Sequence, residues 1–281
     1  MKKSLIKGFF ISLMLLFIFA IPVSAASLKK LQTGKTYSLD LNGGAKEKIK
    51  VTYQKSGWKR EKWKLYVNNK VVATYSFKDP YEASVDVYYL DVNKSDKYHE
   101  LLIISTGVNS LLDDMRIIRY SNSKSVKKIR GKQKDFKGRV GRLSPVSCDG
   151  KNKITFYLDT PFFNGTFGCY LARVTGTVSG TTFSFSNASS YPLKTKDPDH
   201  PNNYELYRSM KLYKNANKKT VLKTLSAGTR FTPTSFKPVN PRSQSGRWSA
   251  YVKVKTTDGK VGWLYFPNEG YKYLSQMPAW A

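Results

Sequence analysis

The chain has 281 residues, 40% hydrophobic and 14% aromatic, which is enough apolar material for a packed core and excludes wholesale disorder. Its 48 Lys and Arg against 19 Asp and Glu give a formal charge of +29, which predicts an anionic partner or surface and is silent about fold. The length suits one large domain or two ordinary ones.

Residues 1–25 read as a secretory signal peptide. Lys2, Lys3 and Lys7 precede an apolar run from Phe9 to Ile21 that only Ser12 interrupts. Pro22 then breaks the helix, and Val23-Ser24-Ala25 supplies small residues for cleavage. The run is shorter than the ~20 residues of a membrane span, and no second long run follows, so a secreted chain without a transmembrane span is expected. Cleavage removes three lysines and no acid, so 29 less 3 leaves +26 on the exported protein.

Residues 26–195 read as strands. Lys48–Tyr53, Lys62–Val67 and Arg116–Tyr120 alternate polar with apolar, and Asn-Asn, Ser-Asn and Gly-Gly pairs punctuate them as turns. A weak repeat runs through the region. Asp40-Leu41-Asn42-Gly43 leads into Lys48–Val51, and 51 residues on Asp91-Val92-Asn93-Lys94 leads into Leu101–Ile104. A third copy starts at Asp149-Gly150-Lys151 and runs through Ile154–Tyr157. Several strands per unit at a period near fifty predict antiparallel, propeller-blade-like repeats.

The segments DLNGGAKEKIKV (from Asp40) and DVNKSDKYHELLI (from Asp91) resemble degenerate Asp-rich loops of FG-GAP/VCBS-type β-propeller repeats. The first copy keeps Asp40 and Asn42 but has Gly44 and Lys48 at later ligand positions; the second keeps Asp91, Asn93 and Ser95, with His99 and Glu100 following. The resemblance implies a calcium site at Asp91, Asn93, Ser95 and Glu100. The competing reading is a turn whose Asx side chains cap the backbone, in a chain whose charge repels cations.

Residues 124–142 hold nine Lys and Arg against one Asp. They read as a solvated strand edge that resists aggregation, with an anion-binding patch as the alternative. Cys148 and Cys169 in an exported chain favour one disulfide over free thiols. The Pro-, Asp- and Asn-rich run from Pro192 to Tyr204 marks a linker, placed at 196–204, before a second domain at 205–281.

In that second domain VLKTLSAGT, WSAYVKVKTTDGK and VGWLYF follow one another, with Asp258-Gly259 as a tight hairpin signal. Their order and spacing resemble a bacterial SH3-like (SH3b) domain, which implies a small β-barrel. Lys214-Asn215-Ala216-Asn217 and the long insert Pro233–Arg247 depart from that family in loops that line its ligand groove. The resemblance points to Trp248, Tyr251 and Tyr265, with Arg247 and Lys253 beside them, as a ligand-binding set; groove and core remain open for the three rings. Trp263, after Gly262, is expected in the core, and Tyr271–Trp280 as an apolar tail packed back on a domain.

No metal, nucleophile-elbow or phosphate-loop motif is present. His99 and His200 read as surface residues, and the neighbouring Asp113 and Asp114 point to opposite strand faces. The expectation is an all-β, secreted, non-catalytic protein that binds wall polymer (peptidoglycan or teichoic acid) or an anionic membrane surface. A wall hydrolase and an extracellular nucleic-acid binder are the alternatives, the last disfavoured by export and by the absence of a binding motif.

Overall fold

A computed structural model describes residues 28–78, 80–81, 83–107, 112–122, 125–132, 143–158, 170–186, 190–195, 204–239, 249–267 and 270–275. Among them the regular structure is β, apart from one 3-10 turn at Gly270–Tyr273, and no helix is long and apolar enough to cross a membrane.

The first half is built from three antiparallel meanders of four strands. The first comprises β2 (Thr36–Leu39), β3 (Glu47–Ser56), β4 (Lys59–Val67) and β5 (Lys70–Ser76). The second comprises β6 (Ser84–Leu90), β7 (Glu100–Thr106), β8 (Leu112–Asn122) and β9 (Ser125–Lys132), with β1 (Lys29–Leu31) paired outside β6. The third comprises β10 (Leu143–Cys148), β11 (Lys153–Leu158), β12 (Tyr170–Ser179) and β13 (Thr182–Phe185). Turn chemistry fixes the hairpins: Asn68 and Asn69 both take positive φ, as a two-residue type I′ turn between β4 and β5 requires.

The second meander is the middle layer. Period-two geometry sends Leu101 and Ile103 of β7 to one face, where they join Ile49, Trp63 and Leu65 of the first meander. Leu102 and Ile104 face the other way and join Phe156, Val174 and Phe183 of the third. A strand covered on both faces needs an unbroken apolar run, which Leu101-Leu102-Ile103-Ile104 provides.

Carboxylates accepting backbone N–H groups hold each Asp loop, with a strand-head glutamate in the first two units and the loop aspartate in the first and third. Asp40 Oδ1 accepts the backbone N–H groups of Asn42 and Gly43, and Glu47, at the head of β3, accepts the Leu41 N–H at 2.9 Å. In the second unit Glu100, at the head of β7, accepts the Val92 N–H at 3.0 Å. In the third, Asp149 Oδ1 accepts from Lys151 and Lys153. Successive loops stack: His99 N–H donates to Leu41 O, and Asn152 N–H to Val92 O. Gly43 and Gly150 sit at positive φ where a Cβ would strike Lys97 and Lys94, so only glycine lets the loops approach.

One expectation changes, and residues 196–203 of the linker lie outside the described residues. β9, in the basic stretch, is no edge strand: it pairs with β8 on one side and in parallel with β13 on the other, Thr182 opposite Arg130. Residues 133–142 lie outside the described residues. Within the Pro-rich run, Tyr191–Thr195 forms β14, whose Tyr191 and Pro192 pair with β18 (Arg230–Val239) while Leu193 to Thr195 pair with β12. The core of the third meander accordingly continues through Tyr191 into Phe236, Val252 and Leu264 of the C-terminal sheet.

That sheet contains β15 (Tyr204–Glu205), β16 (Met210–Tyr213), β17 (Val221–Leu225), β18, β19 (Ser249–Thr256) and β20 (Val261–Phe266). β18, β19, β20, β16 and β17 are neighbours in that order, and β15 pairs with β18. Among the described residues the pairing leaves β17 at an open end, so no ring of strands closes. Tyr273 packs edge-on against Phe266, and Leu274 bridges to Leu206, so the described part of the C-terminal tail does fold back.

Candidate binding face on the C-terminal sheet

Alternation along β19 and β20 separates two faces. Ala250, Val252, Val254, Leu264 and Phe266 point inward and are fully buried. Tyr251, Lys253, Trp263 and Tyr265 carry the opposite parity and lie on the outer face. The strand register assembles them. Tyr251 stands opposite Tyr265 on one side and Lys237 on the other; in the next row Lys253 stands opposite Trp263, which in turn pairs with Tyr213.

The result is an aromatic floor flanked by cations. The Tyr251 and Tyr265 rings lie 5.1 Å apart at 53°. Tyr251 is buried beneath its neighbours, and burial, then the nearby Tyr265 and Tyr213, pushes its hydroxyl above the usual tyrosine range. Trp263 and Tyr213 are half-buried, so their rings remain partly open to a ligand, while half-buried Tyr265 has one face taken by Lys218. The β16–β17 loop closes one side: Lys218, in a left-handed conformation, sets its ammonium over the Tyr265 ring, and Lys237 Nζ donates to Ala216 O. Rings offer faces to sugar rings or apolar peptide groups, and Lys218, Lys237 and Lys253 offer positive charge to phosphate or carboxylate.

Tyr251, Tyr265 and Lys253 of the sequence-derived set therefore share one face, while Arg247 and Trp248 lie outside the described residues. Trp263 corrects the reading that put it in the core. Tyr213, Lys218 and Lys237 were missed; the alternation of Met210-Lys211-Leu212-Tyr213 is the local signal that puts Tyr213 opposite in parity to buried Leu212.

Asn93, Ser95 and Glu100 of the calcium set are engaged with protein partners. Asn93 Oδ1 accepts from both the N–H and the hydroxyl of Ser95, and the Glu100 carboxylate accepts from Val92 N–H and from Arg119 Nε at 2.7 Å. Burial is the main cause holding the Glu100 carboxyl above the usual range, with Val92 and Arg119 opposing it. Asp91 Oδ1 is buried without a hydrogen-bond partner, and among the described residues no group of three or more His, Cys, Asp or Glu is placed to hold a metal. His99 stacks on Tyr89 with ring centroids 5.2 Å apart, and its Nδ1 is buried and unpartnered, so that atom assists no nucleophile. Cys148 is a buried free thiol whose Sγ donates to Asp91 O at 3.1 Å, and burial pushes its pKa up to about 11. Cys169 lies outside the described residues.

No protein-family model, curated protein or solved structure matches this chain.

Proposed function

We propose that this is a secreted, non-catalytic envelope protein. In this reading β15–β20 form an SH3b-like module that binds wall peptide, glycan or another anionic polymer, and the meanders form a blade-like scaffold. One observation carries it: Tyr213, Tyr251, Trp263 and Tyr265 gather on the solvent side of the C-terminal sheet with Lys218, Lys237 and Lys253 around them. The +26 of the exported chain, 29 less the three lysines of residues 1–25, adds long-range attraction to polyanions, which salt screens while short-range ring contacts persist.

The test is sedimentation with purified cell walls, with and without ~0.5 M salt. The intact chain is required, because the C-terminal core is continuous with that of the third meander. The W263A/Y265A double variant is expected to lose at least about tenfold in wall affinity, most visibly at high salt. Wild-type sedimentation by that variant refutes the proposal.

A further inference from the structure

A second concave site lies on the third meander, away from the aromatic face. It is a cleft of about 550 Å³ on the outer side of β10, β11 and β12, walled by Ser190, Tyr191 and Pro192. Its floor is a ladder of hydroxyls, because the register puts Ser147 opposite Thr155 and Thr155 opposite Thr175. The Thr155 and Thr175 hydroxyls lie 3.3 Å apart. On the same strand faces, two residues to either side of the Thr155–Thr175 rung, stand Lys153 at one end and Arg173 at the other, both exposed. Lys194 adds a third cation beside Arg173, over the ring of Tyr157, Arg173's cross-strand partner.

The chemistry of the walls narrows the ligand. Apolar ligands do not suit a hydroxyl floor. A metal is not served by one carboxylate, Asp149, whose Oδ1 already accepts two backbone N–H groups. Nucleobases need an open ring to stack on; Tyr191 is 4% exposed, and Lys194 covers Tyr157. Hydroxyls donate to and accept from other hydroxyls, and Arg with Lys favours phosphate. We propose that this cleft binds a phosphate-bearing polyol or sugar. Arg173 takes the phosphate oxygens at one end of the rung, Ser147, Thr155 and Thr175 take the polyol hydroxyls, and Lys153 closes the other end with a second positive charge. The proposal does not depend on the aromatic face.

The test is amide chemical-shift mapping on the full chain with sn-glycerol 3-phosphate, and with glycerol alone. Glycerol 3-phosphate is expected to move the amides of Thr155, Arg173 and Thr175 and leave those of Tyr251 and Tyr265 in place, and glycerol to move none. The K153Q/R173Q double variant is expected to bind about tenfold more weakly, while K253Q binds as wild type. A soluble oligo(glycerol phosphate) and vesicles of phosphatidylglycerol are then run as competitors. Displacement by either supports the site, and which one displaces separates a free polymer from a lipid headgroup. Unmoved amides at Thr155, Arg173 and Thr175, shifts spread evenly over all lysine-bearing surfaces, or wild-type affinity in K153Q/R173Q overturn the proposal; the wild-type map holds even if the variant fails to fold.

Discussion

Replacing Arg119 with Met isolates a buried ion pair of the middle sheet. The Glu100 side chain is 0% exposed, and Arg119 supplies its only charged partner among the contacts described for it, with the Val92 N–H as the one backbone donor. Unit charges about 4 Å apart attract by about 4 kcal/mol at an effective dielectric near 20. Methionine keeps side-chain bulk beside Tyr98, where the guanidinium now sits 5.3 Å from the ring centroid, so the charge is the main loss. A buried carboxylate left without its partner costs about 3–5 kcal/mol, and that is the expected destabilisation of R119M at pH 7. The pH dependence has a definite sign. Glu100 already titrates above the usual carboxylate range in the folded chain. Stability linked to it is therefore complete below the unfolded value of about 4.3 and is lost as pH rises through the folded value. Without Arg119 the folded value rises further, so the loss extends to higher pH. Urea unfolding followed by tryptophan fluorescence should show a penalty that is large at pH 7 and smaller at pH 5. The double variant E100Q/R119M should recover part of the loss at pH 7. A penalty under about 1 kcal/mol at pH 7, or one that is equal at both pH values, refutes the reasoning.

Two further outcomes are expected. G176A places a Cβ 1.9 Å from Phe183 Cζ, and Phe183 cannot retreat because Phe156 and Phe185 hold it edge-on. A loss of about 1–3 kcal/mol or more is expected in urea unfolding, and a loss within about 0.5 kcal/mol contradicts this packing. Cys148 should be inert to a thiol reagent at pH 8 in the native chain, since only about one thiol in a thousand is then ionised and the sulfur is buried, and it should react fully once unfolded.

Much of the fold was legible because period two is a local property. Lys48-Ile49-Lys50-Val51 has one apolar parity, and it is the buried one. The 51-residue spacing of Asp40 and Asp91 marked two loops that the structure holds by the same glutamate device. Trp263 was misplaced for a reason that alternation cannot repair. In β20 both parities are largely apolar, Val261, Trp263 and Tyr265 against Gly262, Leu264 and Phe266, so the pattern selects no face. The choice comes from β19, where Lys253 fixes the outer parity and the Asp258-Gly259 hairpin carries it across to Trp263. The parallel pairing of β9 with β13 joins residues some fifty positions apart in sequence and leaves no local trace. β14 was hidden because Pro192 reads as a breaker. The strand tolerates it by changing partners there, from β18 to β12.

The distribution of charge explains why a strongly basic chain can still fold around two cores. Acids in the described structure serve the scaffold: Glu47 and Glu100 are buried as loop clamps, and Asp86, Asp113 and Glu205 are paired with Lys30, Lys78 and Arg230. Lysines face outward by strand parity, as Lys48, Lys50, Lys62 and Lys64 do on the first meander, away from Ile49, Val51, Trp63 and Leu65. This broad field accounts for attraction over about a Debye length, some 8 Å at physiological salt, but it cannot discriminate one polyanion from another. Discrimination requires contacts at van der Waals range. The described residues offer these in two forms, open rings beside Lys253 and a hydroxyl floor beside Arg173. Salt therefore separates the contributions: affinity that vanishes with screening belongs to the lysine field and the cleft's cations, and affinity that survives belongs to the rings.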